Sequence, residues 1–189
     1  MKDFDKTYLF YDYFMKLLKL YKVEEIKKAL DLAGHEIILD IGGGTGFLAK
    51  HLQDSCKNIT VLDESEKMLS KVVPMENVIP LVGNATSTNF EHNSIDVVIL
   101  SDVLHHIKDQ VILLEEIHRI LKTDGKLLIM DFEKKRFKIK VLRLFEFLLF
   151  GKLFFHTHRE VIDLMKNAFN IEKDILNRNY FIIVGRKND

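Results

Sequence analysis

Short apolar runs alternate along the chain with segments in which apolar residues recur every three or four positions. The first pattern is typical of buried strands and the second of amphipathic helices. The runs that predict parallel strands are residues 37–41, 58–63, 78–82, 97–100 and 126–132. A closing hairpin over 171–186 adds two strands. We therefore predict an α/β fold, a doubly wound, mostly parallel seven-stranded sheet with helices on both faces and a C-terminal antiparallel hairpin.

Residues 1–34 have the spacing of one or two helices in front of the first strand. Their apolar residues are expected to pack against the sheet as an N-terminal helical cap. The alternative is that Tyr8, Tyr11 or Tyr13 closes over an active site. The length of the chain and its even composition predict one domain over 1–189.

A helix before the fifth strand is predicted to start after Asp109, which would cap it. Apolar residues at helical spacing should form its inner face: Val111, Leu114, Ile117 and Leu121. Gly125 is predicted to end the helix in the left-handed conformation, which glycine adopts without strain.

The first predicted strand leads into a turn that is rich in glycine. Asp40 precedes Gly42, Gly43, Gly44 and Gly46, and a helix follows. Glycine is needed where a turn takes a positive φ, or where a backbone approaches a ligand with no Cβ between them. A strand that passes through such a turn into a helix is how open α/β sheets bind nucleotide-like ligands. We therefore predict a nucleotide-type cofactor here.

The spacing of these glycines indicates which cofactor. A dinucleotide fingerprint would be Gly-x-Gly-x-x-Gly, whereas here Gly42, Gly44 and Gly46 alternate and Phe47 follows. The carboxylate of Asp40 would repel a pyrophosphate and attract an ammonium group. A ligand with an adenosine end and a cationic amino-acid end fits, and S-adenosylmethionine is such a ligand. The stretch resembles the first motif of the class I S-adenosylmethionine-dependent methyltransferases, of the type that acts on small molecules.

A second signal stands at the end of the second predicted strand. Asp63 lies 21 residues after Gly42, the distance at which a strand-end carboxylate meets a ribose in a βαβ unit. Glu64 can serve beside it. The Asp-x-Ser-x-x-Met run from Asp63 to Met68 resembles a run of the family that holds the ribose and one face of the adenine. The resemblance thus implies that Asp63 and Glu64 bind ribose and that Met68 binds adenine.

After the third predicted strand the chain departs from the family pattern. The family usually has an acid where Asn84 stands, and that acid accepts a hydrogen bond from the adenine amino group. The amide oxygen of Asn84 can accept such a bond, and its NH₂ group can donate to a ring nitrogen. By resemblance, Asn84 and Ala85 are assigned to the adenine. Ser101 follows the fourth predicted strand and is expected to border the methyl donor.

Two adjacent histidines, His105 and His106, come shortly after Ser101. Their surroundings resemble the Leu-His-His run of many small-molecule methyltransferases, which implies that one of them acts as a catalytic base. Imidazole suits this role because its unperturbed pKa is ~6.5. A structural role for both is the alternative. Neighbouring histidines point in different directions and no third ligand is evident, so no metal site is predicted.

The composition excludes several other classes of protein. Basic and acidic residues number 28 each, so the overall charge gives no sign of a nucleic-acid partner. A single cysteine, Cys56, excludes an intramolecular disulfide framework and multi-cysteine metal sites. The amino end is too charged for a signal peptide, and no long uncharged apolar run is present. A cytoplasmic location is therefore expected.

Residues 133–156 do not belong to the minimal layout. Residues 134–152 include seven basic side chains and one acidic one, a local charge of +6, with many aromatic and aliphatic residues between them. One interpretation is a cap on the sheet edge or a dimer face, with the basic residues in water. The other is a basic, aromatic-rich helix that lies at a membrane surface or admits a lipophilic substrate.

The resemblance implies an enzyme that transfers a methyl group from S-adenosylmethionine to an oxygen, nitrogen or carbon atom of a small molecule. That acceptor would be lipophilic if residues 133–156 admit it. Two alternatives stay open: an S-adenosylmethionine-binding protein without transferase activity, and a nicotinamide-dependent oxidoreductase. The acceptor region is short, which favours a small acceptor over a macromolecule.

Overall fold

Seven strands form one mixed sheet in the part of the chain that the computed structural model describes, residues 22–133 and 153–188. They are β1 Ile37–Ile41, β2 Asn58–Asp63, β3 Val78–Val82, β4 Ile95–Ser101, β5 Leu121–Phe132, β6 Phe169–Leu176 and β7 Tyr180–Lys187. Their order in the sheet is β3-β2-β1-β4-β5-β7-β6. Strands β1 to β5 are parallel, and β7 pairs antiparallel with β5 and β6. The predicted sheet and its closing hairpin are confirmed.

Helices cover both faces of this sheet. They are α1 Val23–Leu30, α2 Phe47–Leu52, α3 Glu66–Leu69, α4 Gln110–Ile120 and α5 His158–Met165, with short 3-10 turns at Gln53–Ser55 and Leu104–His106. Helices α1, α2 and α3 pack on one face, to whose core they contribute Ile26, Leu52 and Leu69. Helices α4 and α5 pack on the other face and contribute Leu113 and Val161.

The central strands alternate between these two apolar layers because successive residues of a strand point to opposite faces. Ile38 and Ile99 lie in the layer beneath α1 and α2. Leu39 and Leu100 lie in the layer beneath α4 and α5. All four are fully buried, as expected for parallel strands covered on both faces. Asp40 is a polar exception among them, buried at the carboxyl end of β1.

Strand β3 lies at one edge of the sheet, and Pro80 stands in its middle. Towards β2, the Asn77 carbonyl accepts from Ile59 N, and Gly83 N donates to the Asp63 carbonyl. The alternation of a parallel ladder therefore turns the Pro80 nitrogen to the free side. A missing N–H is tolerated there, and it discourages a further strand from adding to this edge.

The helix predicted before β5 has Asp109 at its N-cap as expected, but its predicted inner face and its predicted left-handed end are wrong. Val111 is 59% exposed while Leu113 is buried, because the apolar residues of this segment fit more than one helical face and packing selects one. Asp109 takes the N-cap position, but its side chain makes no capping hydrogen bond. The left-handed residue after the helix is Asp124, with a φ of 62°, and not Gly125.

At the start of α5, Thr157 and Glu160 form a reciprocal capping box, in which each side chain accepts from the other's backbone N–H. The helices predicted within residues 1–21 and the features predicted within 134–152 lie outside the described residues. None of the helices that the structure describes is long and apolar enough to cross a membrane.

Candidate cofactor and acceptor site

The turn after β1 depends on three glycines with a left-handed backbone. Gly42, Gly44 and Gly46 have φ values of 68°, 55° and 72°, a region that other residues rarely adopt. Gly42 also lies against Val103, since a Cβ on Gly42 would come within 2.2 Å of the Val103 Cγ2 atom. The positive φ that the sequence anticipated is therefore present at this turn.

Because Gly43 has no Cβ, the same turn can approach the side chain of Asp40 closely. A Cβ on Gly43 would lie 2.6 Å from Asp40 Oδ2. Asp40 is 1% exposed, and its Oδ2 has no hydrogen-bond partner among the described residues. Burial, and then the neighbouring charge of Asp63, raise the pKa of Asp40 to about 7. Buried polar groups are nearly always paired, so this oxygen fits a donor that a ligand would bring.

The carboxylate of Asp63 joins the glycine turn to the next helix. Its Oδ2 accepts from Gly44 N at 3.1 Å, and its Oδ1 accepts from Ser65 N at 2.8 Å. Ser65 in turn caps α3, because its hydroxyl oxygen accepts from Met68 N. Burial raises the pKa of Asp63, while the two backbone donors oppose that rise. Each carboxylate oxygen keeps further acceptor capacity, which ligand hydroxyls can use.

A cavity of about 240 Å³ opens at the carboxyl ends of the parallel strands. Six residues assigned to the site from the sequence lie on its wall: Gly42, Asp63, Glu64, Asn84, Ala85 and His106. The rest of the wall is formed by Ile41, Leu62, Gly83, Thr86, Val103, Ile107, Lys108 and Asp109. Ligands of open α/β sheets bind at this end of the strands, so the cavity is where the cofactor is expected.

The other residues assigned from the sequence lie around the cavity and not on its wall. They are Asp40, Gly43, Gly44, Gly46, Met68, Ser101 and His105. Met68 is buried, and its Cε atom lies 3.0 Å from where a Cβ of Gly44 would be. Gly46 packs against Val72, and Ser101 ends β4 half-buried. Contact of these residues with the cofactor stays a prediction.

The side-chain oxygen of Asn84 is engaged within the fold, which bears on the two roles that the sequence left open for its amide. Its Oδ1 accepts from Thr86 N at 2.8 Å and from Thr86 Oγ1 at 2.7 Å. A carbonyl oxygen has two lone pairs, and both are used in these bonds. The amide of Asn84 can therefore act towards a ligand as a donor through Nδ2, which suits an adenine ring nitrogen better than the adenine amino group.

The two neighbouring histidines lie in the 3-10 turn after β4 and differ in their surroundings. His105 is 1% exposed; its Nδ1 lies 2.9 and 3.0 Å from the two oxygens of Asp131, and Phe155 stacks on its ring. His106 is half-buried on the cavity wall, with its ring centroid 4.2 Å from that of His105. Burial, and then His105, hold the pKa of His106 well below its ordinary value.

Sequence reasoning missed Asp131, near the carboxyl end of β5. The available signal was a lone acid inside an apolar run, because a buried acid needs a partner. Asp102 lies 4.0 Å from His105 Nδ1, and the three side chains could offer ligand atoms within 4.8 Å of one another. Both Asp131 oxygens are already within hydrogen-bond distance of His105 Nδ1. These contacts pair Asp131 with His105 within the fold, and the absence of a metal site stays a prediction.

The strand order, the glycine turn and the acids at two strand ends are those of α/β proteins that bind nucleotide-type cofactors. Residues 39–129 match the family described as a methyltransferase domain. Over these residues the chain is a methyltransferase domain, and its fold is that of the class I S-adenosylmethionine-dependent methyltransferases.

Two relatives have similar sequences. The demethylmenaquinone methyltransferase of Staphylococcus aureus (strain MRSA252) is 33% identical over 144 residues, which cover 70% of this chain and 60% of that protein. The ubiquinone/menaquinone biosynthesis C-methyltransferase UbiE of Blochmanniella pennsylvanica (strain BPEN) is 33% identical over 129 residues, which cover 62% of this chain and 51% of that protein. The chain thus matches little more than half of the length of these relatives.

Solved structures share the fold at lower sequence identity. A chain of the complex between the Haloferax volcanii Trm112 methyltransferase activator and a methyltransferase has a TM-score of 0.85 and 16% identity, with 100% of both chains covered. A SAM-dependent methyltransferase from Aquifex aeolicus has a TM-score of 0.73 and 18% identity, with 90% of this chain and 92% of that chain covered. The likeness confirms the predicted fold class.

Proposed function

We propose that this chain transfers the methyl group of S-adenosylmethionine to a small, lipophilic acceptor. The observation that carries the proposal is the buried Asp40 carboxyl, whose Oδ2 no described residue partners, beneath the glycine turn and beside Asp63. A ligand with both an ammonium group and ribose hydroxyls would match these two acids. The two relatives are named as methyltransferases, which supports the same activity for this chain.

In this proposal each end of the cofactor meets a different part of the site. Asp40 and the glycine turn bind the amino-acid end, because the ammonium group supplies the donor that Asp40 Oδ2 lacks. Asp63 and Glu64, on the cavity wall, accept from the ribose hydroxyls. The adenine is bound by Met68, Asn84 and Ala85.

When bound, S-adenosylmethionine supplies an electrophilic methyl group on a sulfonium centre. The chain has to hold the acceptor in line with that methyl group and exclude water, because proximity and orientation dominate such displacements. His106 is placed to take the acceptor's proton, since it lines the cavity and its lowered pKa keeps the imidazole neutral near pH 7. The hydrogen bond between His105 and Asp131 fixes the turn that carries His106.

The lipophilic acceptor is inferred from the place where the basic, aromatic-rich segment joins the fold. The described residues end at Glu133 and resume at Leu153. Phe154 N donates to the His105 carbonyl at 2.7 Å, so the segment rejoins the fold at the histidine turn. The names of the relatives refer to demethylmenaquinone and to ubiquinone and menaquinone biosynthesis. A quinone-type ring is therefore the first acceptor class to test.

Calorimetric titration with S-adenosylhomocysteine and with NAD tests the cofactor. We expect S-adenosylhomocysteine to bind and NAD not to bind. The reverse result would favour the nicotinamide-dependent alternative and contradict the proposal. An acceptor screen with donor labelled at the methyl group, across quinones, lipids, amines and amino acids, tests the reaction. Cofactor binding without transfer to any class would favour a binding protein without transferase activity.

Residues 133–156 leave two interpretations, a cap on the domain and a membrane contact, and one experiment separates them. At an anionic surface each nearby Lys or Arg contributes about 1 kcal/mol. Sedimentation with anionic and neutral liposomes, at low and raised salt, measures this contribution. A membrane contact predicts binding to anionic liposomes that Glu at Arg136, Lys140 and Arg143 abolishes. A cap predicts no liposome binding, and lower thermal stability for Phe145→Ser.

A further inference from the structure

The surroundings of Asp40 favour a neutral carboxyl over an anion. The side chain is 1% exposed at the end of β1, and its Oδ2 has no partner in the described part of the chain. The charged group that acts on it is Asp63 at the end of β2, and no basic side chain of the described residues offsets this repulsion. The charge of Glu64 raises the pKa of Asp63 instead. A buried carboxylate without a paired cation or donors is strongly disfavoured.

Of these two neighbouring acids, Asp40 is the one that retains the proton. Asp63 accepts from two backbone donors, Gly44 N and Ser65 N, and hydrogen bonds to the charged form stabilise it. Asp40 Oδ2 has no such donor among the described residues. Two carboxylates that repel each other do not ionise independently, so the negative charge of the pair resides mainly on Asp63.

We propose that Asp40 holds a proton in the ligand-free protein and releases it to solvent when the ammonium group of the cofactor's amino-acid end binds. This inference rests on the proposed function. The neutral acid and the ligand's cation become an ion pair, and one proton leaves to the solvent, so that charge and atoms balance. Any ligand with the amino-acid end, whether methylated donor or demethylated product, then binds with proton release. A ligand that lacks this end binds without it.

The exchange makes affinity depend on pH in a defined window. Burial raises the pKa of Asp40 to about 7, so below that pH the acid must lose its proton before the ion pair can form. Affinity for S-adenosylhomocysteine should therefore rise about tenfold per pH unit below pH ~7 and level off above it. A nucleoside without the amino-acid end should show no such rise.

The experiment is calorimetric titration of the intact chain in buffers of different ionisation enthalpy, which counts the protons exchanged. The two ligands are S-adenosylhomocysteine and 5′-methylthioadenosine, which share the nucleoside and differ in the amino-acid end. With S-adenosylhomocysteine we expect the release of most of one proton at pH 6 and little at pH 8. With 5′-methylthioadenosine we expect none at either pH. S-adenosylhomocysteine binding without proton release at pH 6 would overturn the inference and leave the proposed function standing.

Two variants assign the proton to its residue. Asp40→Asn should bind S-adenosylhomocysteine more weakly, with no proton release and no pH dependence below pH 7, while its affinity for 5′-methylthioadenosine stays at the wild-type value. Proton release that persists in Asp40→Asn and disappears in Asp63→Asn would overturn the assignment. If Asp40→Asn does not fold, the comparison of the two ligands on the wild-type chain still decides. Failure of both ligands to bind would overturn the proposed function itself.

Discussion

Two acids near the carboxyl ends of interior strands, Asp40 of β1 and Asp131 of β5, are buried to nearly the same degree, yet only Asp131 is fully paired by the described fold. Asp131 is 4% exposed and Asp40 is 1% exposed. The Asp131 oxygens both lie within hydrogen-bond distance of His105 Nδ1, and Oδ1 also accepts from Phe132 N. Asp40 has an oxygen that no described residue partners. The described fold pairs Asp131 and leaves one oxygen of Asp40 without a partner, which we propose the ligand supplies.

The difference between the two acids distinguishes a residue that stabilises the fold from one that is available for binding. A buried acid that is paired within the fold contributes to stability, because its removal leaves a buried partner without its hydrogen bond. A buried acid without a partner lowers the stability of the ligand-free protein, which is a common property of binding sites. Neutralising Asp131 and neutralising Asp40 should therefore change the free energy of unfolding with opposite signs.

The largest effect is expected in turnover, at the histidine turn that the Asp131–His105 pair holds in place. His106→Gln should lower turnover about 10²–10⁴-fold, the usual loss when a general base is removed, while cofactor affinity stays within about threefold. Steady-state kinetics on the acceptor found by the screen measures this loss. His118→Gln is the matched control, since His118 lies on α4 and not on this cavity wall. Near-normal turnover in both His105→Gln and His106→Gln would make the pair structural.

The next effect concerns the stability that the Asp131–His105 pair contributes. Asp131→Ala should lower the free energy of unfolding by about 3 kcal/mol, because His105 would keep a buried ring nitrogen without its acceptor. Asp131→Asn should lower the free energy of unfolding clearly less, since an amide oxygen can still accept from Nδ1–H of His105. Urea unfolding at pH 7 compares the two variants with the wild type. Equal stability of all three would show that this pair contributes nothing to the fold.

The surroundings of Asp40 and of Asp131 differ in how far the sequence predicts them. Asp40 could be proposed as a cofactor residue because the glycines that shape its surroundings follow within a few positions, so the signal is local. Asp131 could not, because its partner His105 is 26 residues away and only the pairing of β4 with β5 brings them together. Local patterns encode a turn, whereas contacts across a sheet depend on strand order and register.

The same limit explains the error in α4. The apolar runs of the strands leave little choice of face, because parallel strands are buried on both sides. In the helix, Val111 and Leu113 are both apolar, and the pattern fits either as an inner residue. Packing on the sheet buries Leu113 and leaves Val111 exposed. The occupied acceptor oxygen of Asn84 is likewise a result of the local turn with Thr86.

A change of similar size and opposite sign is expected at Asp40, the unpaired acid. The pKa of Asp40 is raised from its ordinary value of 3.8 to about 7, so the folded ligand-free protein retains a proton that the unfolded chain loses. Stability is therefore lost as the pH rises from ~4 through ~7. Asp40→Asn should remove this loss and stabilise the protein at pH 8 by about 2–4 kcal/mol, with little gain at pH 4.

Urea unfolding of ligand-free wild type and Asp40→Asn, at several values between pH 4 and pH 8, measures this difference. Asp131→Asn, followed over the same range, is the control, because it removes a buried acid that the fold pairs. A variant Asp40→Asn that is less stable than the wild type at pH 8 would mean that Asp40 is partnered within the fold after all.

The smallest effect is expected at Asp63, which is paired within the fold as Asp131 is and also faces the cavity. Asp63 is held by Gly44 N and Ser65 N, yet it also lines the cavity. Asp63→Ala should weaken S-adenosylhomocysteine binding by about 1–3 kcal/mol, the loss of a charge-assisted hydrogen bond to a ribose hydroxyl. Calorimetric titration measures the affinity, and circular dichroism checks that the variant folds.

Asp163→Ala is the control for this last substitution, because Asp163 lies on α5 in an exposed pair with Lys166 and should leave the affinity unchanged. Asp63→Asn refines the result: it keeps one acceptor oxygen for the turn but removes the charge. If Asp63→Asn loses as much affinity as Asp63→Ala, the charge itself binds the ribose. If only Asp63→Ala loses affinity, the acid acts by holding the glycine turn in place. Wild-type affinity in a folded Asp63→Ala would remove Asp63 from the cofactor site.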